Sequence, residues 1–150
     1  MKYIHRFLIA APQNEVAAFH QQSASMGLIT PPPIRVQLHK APKELSLEGE
    51  MDFTLWFGPW PIHWLASIEA VSESGFTDRQ LKGPFAEWVH RHSFVKVNDH
   101  LTEVIDQITL RLKPHFYWGL IGLGFWLGLP VLFAYRGWKT CRLIEQGSVR

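Results

Sequence analysis

Phe76 to Phe94 reads FTDRQLKGPFAEWVHRHSF, two runs in which polar and aromatic residues alternate on either side of one Gly-Pro turn. Alternation with period two is the signature of a β-strand, in which successive side chains point to opposite faces. Phe76, Asp78 and Gln80 therefore share one face before the turn, and Trp88, His90, His92 and Phe94 share one face after it. A face that combines large aromatics with two histidines suits the lining of a cavity better than a plain apolar core. Glu87, Val89, Arg91 and Ser93 fall on the opposite face.

Further strands flank this hairpin. Tyr3 to Ala10 suits a first strand, Pro12 breaks it, and Asn14 is positioned to cap a short helix through Glu15, Val16 and Phe19, with a second short helix ending near Gly27. Pro31, Pro32 and Pro33 impose an extended entry into a second strand, Ile34 to Leu38. Met51, Phe53, Leu55 and Phe57 alternate with polar or partly polar neighbours in a third strand that Gly58 and Pro59 end. Residues 62–72 read as a fourth strand, 76–81 as a fifth, 85–95 as a sixth and 102–112 as a seventh, and the turns between them are short enough for antiparallel hairpins. A long apolar segment closes the chain. This order predicts an α+β fold in which a curved seven-stranded antiparallel sheet wraps one long C-terminal helix.

That last segment reads in two ways. Phe116 to Tyr135 carries no charged residue, a length of roughly 30 Å as a helix and thus enough to cross a bilayer core. Tyr117, Trp118, Tyr135 and Trp138 flank it like an interfacial belt, Gly124 and Gly128 have the spacing of a close helix contact, and Arg136, Lys139 and Arg142 follow. Against a span, the fold needs its last helix to cover the sheet. Pro130 lacks an amide hydrogen, which predicts a glycine-rich lead-in over 116–129 and a helix over about 130–146. The apolar surface left over would be covered by a second copy, giving a homodimer, or by a membrane in contact with 116–135.

Composition sets limits. A length of 150 residues fits one domain over 1–150 with a substantial core. The formal charge of +2 is spread along the chain without a Lys/Arg run, so nucleic acid is not an expected partner. Cys141 is the single cysteine, which excludes an intrachain disulfide and points to a reducing compartment. The first residues carry His5 and Arg6 inside a short apolar run, unlike an export signal, so the expected location is cytoplasmic, with membrane association through the C-terminal segment as the alternative.

The pattern Phe76-x-Asp78-x-Gln80-x-x-Gly83-Pro84-Phe85-x-x-Trp88-x-His90-x-His92-x-Phe94, followed by Thr102-x-x-x-Asp106, resembles the START-like or SRPBCC superfamily, and within it the bacterial ligand-binding proteins labelled cyclase/dehydrase-like. Thr30-Pro31-Pro32 and Tyr135-Arg136 are smaller echoes. The resemblance implies a helix-grip fold with two short helices between strands 1 and 2, and a cavity between sheet and C-terminal helix that holds a hydrophobic or amphipathic small molecule. It implies no cofactor. The superfamily also hosts polyketide cyclases and dehydratases, so the fold alone does not fix an activity.

The residues of the inner face carry the chemistry. On the seventh strand Asp106 is the single charge on a face shared with Val104, Ile108 and Leu110, and a lone carboxylate in apolar surroundings needs a partner or a proton. His90 or His92 can supply that partner, raising the histidine pKa and lowering that of the aspartate, whereas burial alone does the reverse. Asp78 and Gln80 extend the group. It reads as a structural network, as the polar end of a ligand site lined by Trp64, Phe76, Trp88 and Phe94, or as acid/base machinery with His90, His92 and Asp106 as candidate catalytic residues. His90-x-His92 with Asp106 or Asp78 could also ligate a metal. No metal is assigned, because the resembled family is not typically metal-dependent.

Overall fold

The computed structural model describes residues 1–146. Seven strands form one antiparallel sheet in the order β1-β7-β6-β5-β4-β3-β2: β1 Lys2–Ile9, β2 Ile34–Lys40, β3 Glu50–Phe57, β4 Trp60–Ser72, β5 Gly75–Lys82, β6 Phe85–Asn98 and β7 Leu101–Leu112. From β3 to β7 each strand pairs with its predecessor, and β1 closes against β7 with Tyr3 opposite Ile108 and Phe7 opposite Val104. Register shifts within β2, β4 and β6 bend the sheet into a trough, since each places an extra residue on one strand and increases local twist.

Two short helices, α1 Gln13–Gln21 and α2 Ser25–Leu28, lie between β1 and β2. Asn14 does not cap α1. Pro12 holds the cap position in an extended conformation and its carbonyl accepts the first helical amides, Glu15 N at 3.1 Å and Val16 N at 3.2 Å, which leaves Asn14 inside the first turn.

The final helix, α3 Phe116–Glu145, corrects the expected start near Pro130: it is continuous from Phe116 and carries Pro130 within it. His115 caps it by accepting from the Trp118 amide. The glycines that read as a lead-in serve packing instead. A Cβ on Gly122 would meet Leu112 Cδ2 at 2.7 Å and Phe85 at 3.2 Å, so the missing side chain lets the helix lie close on the sheet. Gly122, Leu129, Phe133, Gly137, Thr140 and Ile144 form the buried stripe of α3, packed over β1, β6 and β7.

The opposite stripe is unusual. Phe116, Leu120, Leu123, Leu127, Val131 and Trp138 recur every three to seven residues on one face, all exposed, with Phe116 at 85 % and Val131 at 73 %. By length and composition α3 could cross a membrane, and only 17 % of its most apolar window is buried. Its inner face is nevertheless the lid of the core, with Leu129 and Phe133 essentially inaccessible.

Candidate functional site

Strand register builds the site. β5 sets Phe76 opposite His92 and Asp78 opposite His90, and β7 sets Asp106 opposite His92 on the other side of β6. Trp88, His90, His92 and Phe94 are all buried, and their β6 neighbours Glu87, Val89, Arg91 and Ser93 are not. Gly75 makes this register attainable: with φ at +142°, any Cβ there would fall 1.9 Å from the His92 carbonyl oxygen.

Four side chains interlock in the middle of the sheet. His90 Nε2 lies 2.8 Å from Asp106 Oδ1, and His92 Nε2 lies 2.8 Å from Asp78 Oδ2. The second nitrogens cross over: His90 Nδ1 is 3.7 Å from Asp78, and His92 Nδ1 is 3.4 Å from Asp106 without the alignment of a hydrogen bond. The two imidazoles stack at 3.6 Å, and Phe76 stacks on His92 at 4.1 Å.

Shared surroundings drive the two histidines apart. Burial favours neutral rings, but for His92 the carboxylates of Asp106 and Asp78 outweigh it and its pKa is raised. For His90, burial together with the charge on His92 prevails and its pKa is lowered. Burial would raise both aspartates, yet the histidine hydrogen bonds and charges reverse this, holding Asp78 below the usual carboxylate range and Asp106 well below it. The shifts thus favour charge on His92 over charge on His90, between two carboxylates that favour their ionised forms.

A cavity of about 140 Å³ opens between this group, α2, α3 and the β3–β4 half of the sheet. Its walls are mainly apolar, among them Met51, Phe53, Trp64, Phe125 and Leu132, and Trp64 meets Trp88 edge-on at 5.2 Å. Of the residues expected here, Trp64, Phe76, Asp78, Trp88, His90 and His92 line it. Asp106 and Phe94 do not: Asp106 backs the imidazoles, and Phe94 packs behind Phe76 and against His20 at 4.8 Å. Gln80 departs from expectation, because its side-chain amide closes the Gly83-Pro84 turn by bonding the Phe85 carbonyl at 2.7 Å and the Phe85 amide at 3.1 Å.

Two ionisable lining residues escaped the sequence reading. His20 reaches the cavity from α1 and is held neutral, with burial lowering its pKa to about 4. Nothing in the sequence distinguishes it from a surface histidine. Arg136 reaches in from α3 with its guanidinium over the Phe133 ring at 5.4 Å. Its signal was available: it is the first charge after the uncharged run from Phe116.

Asp78, His90 and His92 also form the candidate metal triad among the described residues, with ligating atoms within 4.8 Å of one another. A cation there would compete with the proton that Asp106 and Asp78 favour on His92, and would share the cavity with Arg136.

No protein-family signature matches the sequence, and no curated protein matches it. Solved structures do. A protein from Nitrosomonas europaea superposes with a TM-score of 0.75 at 11% identity, covering 100% of this chain and 97% of that one. This is the helix-grip fold. The same helix-grip architecture occurs in the Zhui aromatase/cyclase from Streptomyces (TM-score 0.68, 14% identity, 95% of each chain). It also occurs in norcoclaurine synthase from Thalictrum flavum (TM-score 0.70, 11% identity, 97% of this chain and 87% of that one), solved with dopamine and hydroxybenzaldehyde. At these identities the likeness concerns the fold.

Proposed function

We propose that this chain binds a small hydrophobic or amphipathic molecule between the sheet and α3. The observation that carries the reading is a cavity with apolar, aromatic walls that ends on one compact polar group, the arrangement by which small-molecule sites combine burial with orientation. A solid core has no use for about 140 Å³ of space, which is comparable to a cavity that admits benzene. Trp64 and Trp88 in the wall supply the test. Titration with fatty acids, fatty alcohols and single-ring aromatics should change tryptophan fluorescence saturably, and native mass spectrometry of the purified protein should show a retained apolar molecule. A protein that purifies empty and responds to none of these compounds would refute the reading.

A second reading is acid/base chemistry of the cyclase or dehydratase type, and the opposed shifts of His90 and His92 favour it. Adjacent groups whose surroundings push their pKa values apart can act as base and acid in one step. His90, fixed from behind by Asp106, would accept a proton, and His92 would donate one. Nitrogen chemical shifts of the ring atoms at pH 6.5 should show His92 charged and His90 neutral. Two rings in the same state would remove the basis for this role.

The outer stripe of α3 supports contact with a membrane surface. Its exposed residues from Phe116 to Ala134 include no charged side chain, Trp60 stacks with Tyr117 at one end, and Trp138 with Arg142 over it lies at the other. Aromatic ends with nearby cations fit a helix lying in the headgroup layer of anionic lipid. The protein should float with phosphatidylglycerol vesicles, and Leu127→Glu should release it. Binding unchanged by Leu127→Glu would refute the contact.

A further inference from the structure

The geometry points to an acidic ligand: we infer that the cavity takes a small amphipathic carboxylate and that Arg136 is the residue that receives its anionic end. The inference deepens the ligand-binding reading and rests on it.

Arg136 is the cation of the cavity that has nothing to bind. Both carboxylates of the site are already engaged, Asp106 by His90 Nε2 at 2.8 Å and Asp78 by His92 Nε2 at 2.8 Å. Among the described residues Arg136 has no hydrogen bond and no ion pair within 4.0 Å, and its one specific contact is the face of Phe133. A guanidinium carries five N–H donors in a planar fork, and those of half-buried Arg136 are not sealed off, so they are open to an acceptor that enters the cavity. Burial lowers its pKa, although Asp106 and Asp78 counter the effect through space. A structural arginine would be expected to close on one of these carboxylates. This one instead stays over an aromatic ring, at the wall of the cavity, with its donors available.

The remaining chemistry narrows the ligand. The donor fork matches a carboxylate bidentately. The rest of the wall, Phe53, Trp64, Phe125 and Leu132 among others, offers apolar and aromatic surface, so the body of the molecule is a ring or short chain. Free volume of about 140 Å³ limits that body to the scale of one or two rings. A neutral ligand offers this fork at most an uncharged acceptor and leaves the guanidinium charge without a counter-charge.

Matched pairs of compounds test this. Trans-cinnamate against trans-cinnamyl alcohol, and decanoate against decan-1-ol, differ in the anionic group and little in the apolar body. Affinity measured by tryptophan fluorescence or calorimetry should favour each acid by on the order of tenfold or more, the scale of a charge-assisted hydrogen bond. Arg136→Gln should abolish the preference while still binding the alcohols, and Arg136→Lys should retain part of it. Equal affinity for acid and alcohol in the wild-type protein would overturn the role of Arg136 and leave the cavity reading intact. Binding of neither member of either pair would overturn both. If Arg136→Gln does not fold, the wild-type comparison decides alone.

Discussion

His20 stands beside the carboxylate–imidazole group without joining it, and this makes it the residue through which acid should first be felt. Its Nδ1 lies 2.8 Å from the Val16 carbonyl, its ring rests on Phe94, and burial holds its pKa at about 4. A histidine whose folded pKa lies below its unfolded value of about 6.5 binds more protons when unfolded, so stability falls as pH drops between those two values. The limiting slope is about 1.4 kcal/mol per pH unit for one group. His90 acts in the same direction. His92 acts in the opposite one: its folded pKa is raised, so its contribution is present below about pH 6.5 and is lost as pH rises through the folded value. Asp78 and Asp106 contribute above the unfolded carboxylate range and lose that contribution as pH falls through their depressed folded values. Urea unfolding from pH 7 to pH 4 should therefore show a flatter acid limb for His20→Phe than for the wild-type protein. An unchanged limb would mean that His20 is solvated. Gly75 gives the complementary prediction. Gly75→Ala forces a Cβ against the His92 carbonyl at a φ that L-residues avoid, and should cost about 1–3 kcal/mol from backbone strain before the clash is counted. The denaturation midpoint measures it. Of these residues, the alternation around the Gly-Pro turn exposed His90 and His92 in the sequence, and the alternation of the seventh strand exposed Asp106. His20 remained hidden because its burial depends on α1 folding over β6, a contact between segments far apart in the chain.

At the scale of elements, the sheet was legible and α3 was only half so. Strands announce themselves through period two and short turns, and those signals are local. The start of α3 lies at Phe116, some fourteen residues before the start that the missing amide hydrogen of Pro130 and the glycines ahead of it predict when read locally. Tertiary packing decides otherwise, and the glycines separate into two kinds. A Cβ on Gly122 would run into Leu112 and Phe85, whereas one on Gly124 would meet nothing within 4 Å. Gly124→Ala should then stabilise the protein by about 0.5–1 kcal/mol, the usual gain from replacing a helical glycine with alanine. Gly122→Val should destabilise it by about 1–3 kcal/mol by wedging helix from sheet. Thermal unfolding of the two variants should shift in opposite directions. Gln80 shows the same limit from the sheet side: the alternation put it on the right face, but the turn beside it claimed its amide.

For the whole molecule, what matters is that α3 presents one face to the cavity and another outward. Phe125, Leu132 and Arg136 form part of the cavity wall, and the stripe from Phe116 through Val131 to Trp138 faces outward on the same stiff rod. Whatever fixes the position of that rod from one side restricts it on the other. Binding events on the two sides are therefore linked quantities, and linkage is reciprocal: if lipid changes the affinity for a cavity ligand by some factor, the ligand changes the affinity for lipid by the same factor. Ligand titrations with and without vesicles, paired with flotation with and without ligand, should return one shared coupling constant different from unity. A value of unity would describe a helix that holds two surfaces rigidly apart, and any other value would make cargo and location two readings of a single equilibrium.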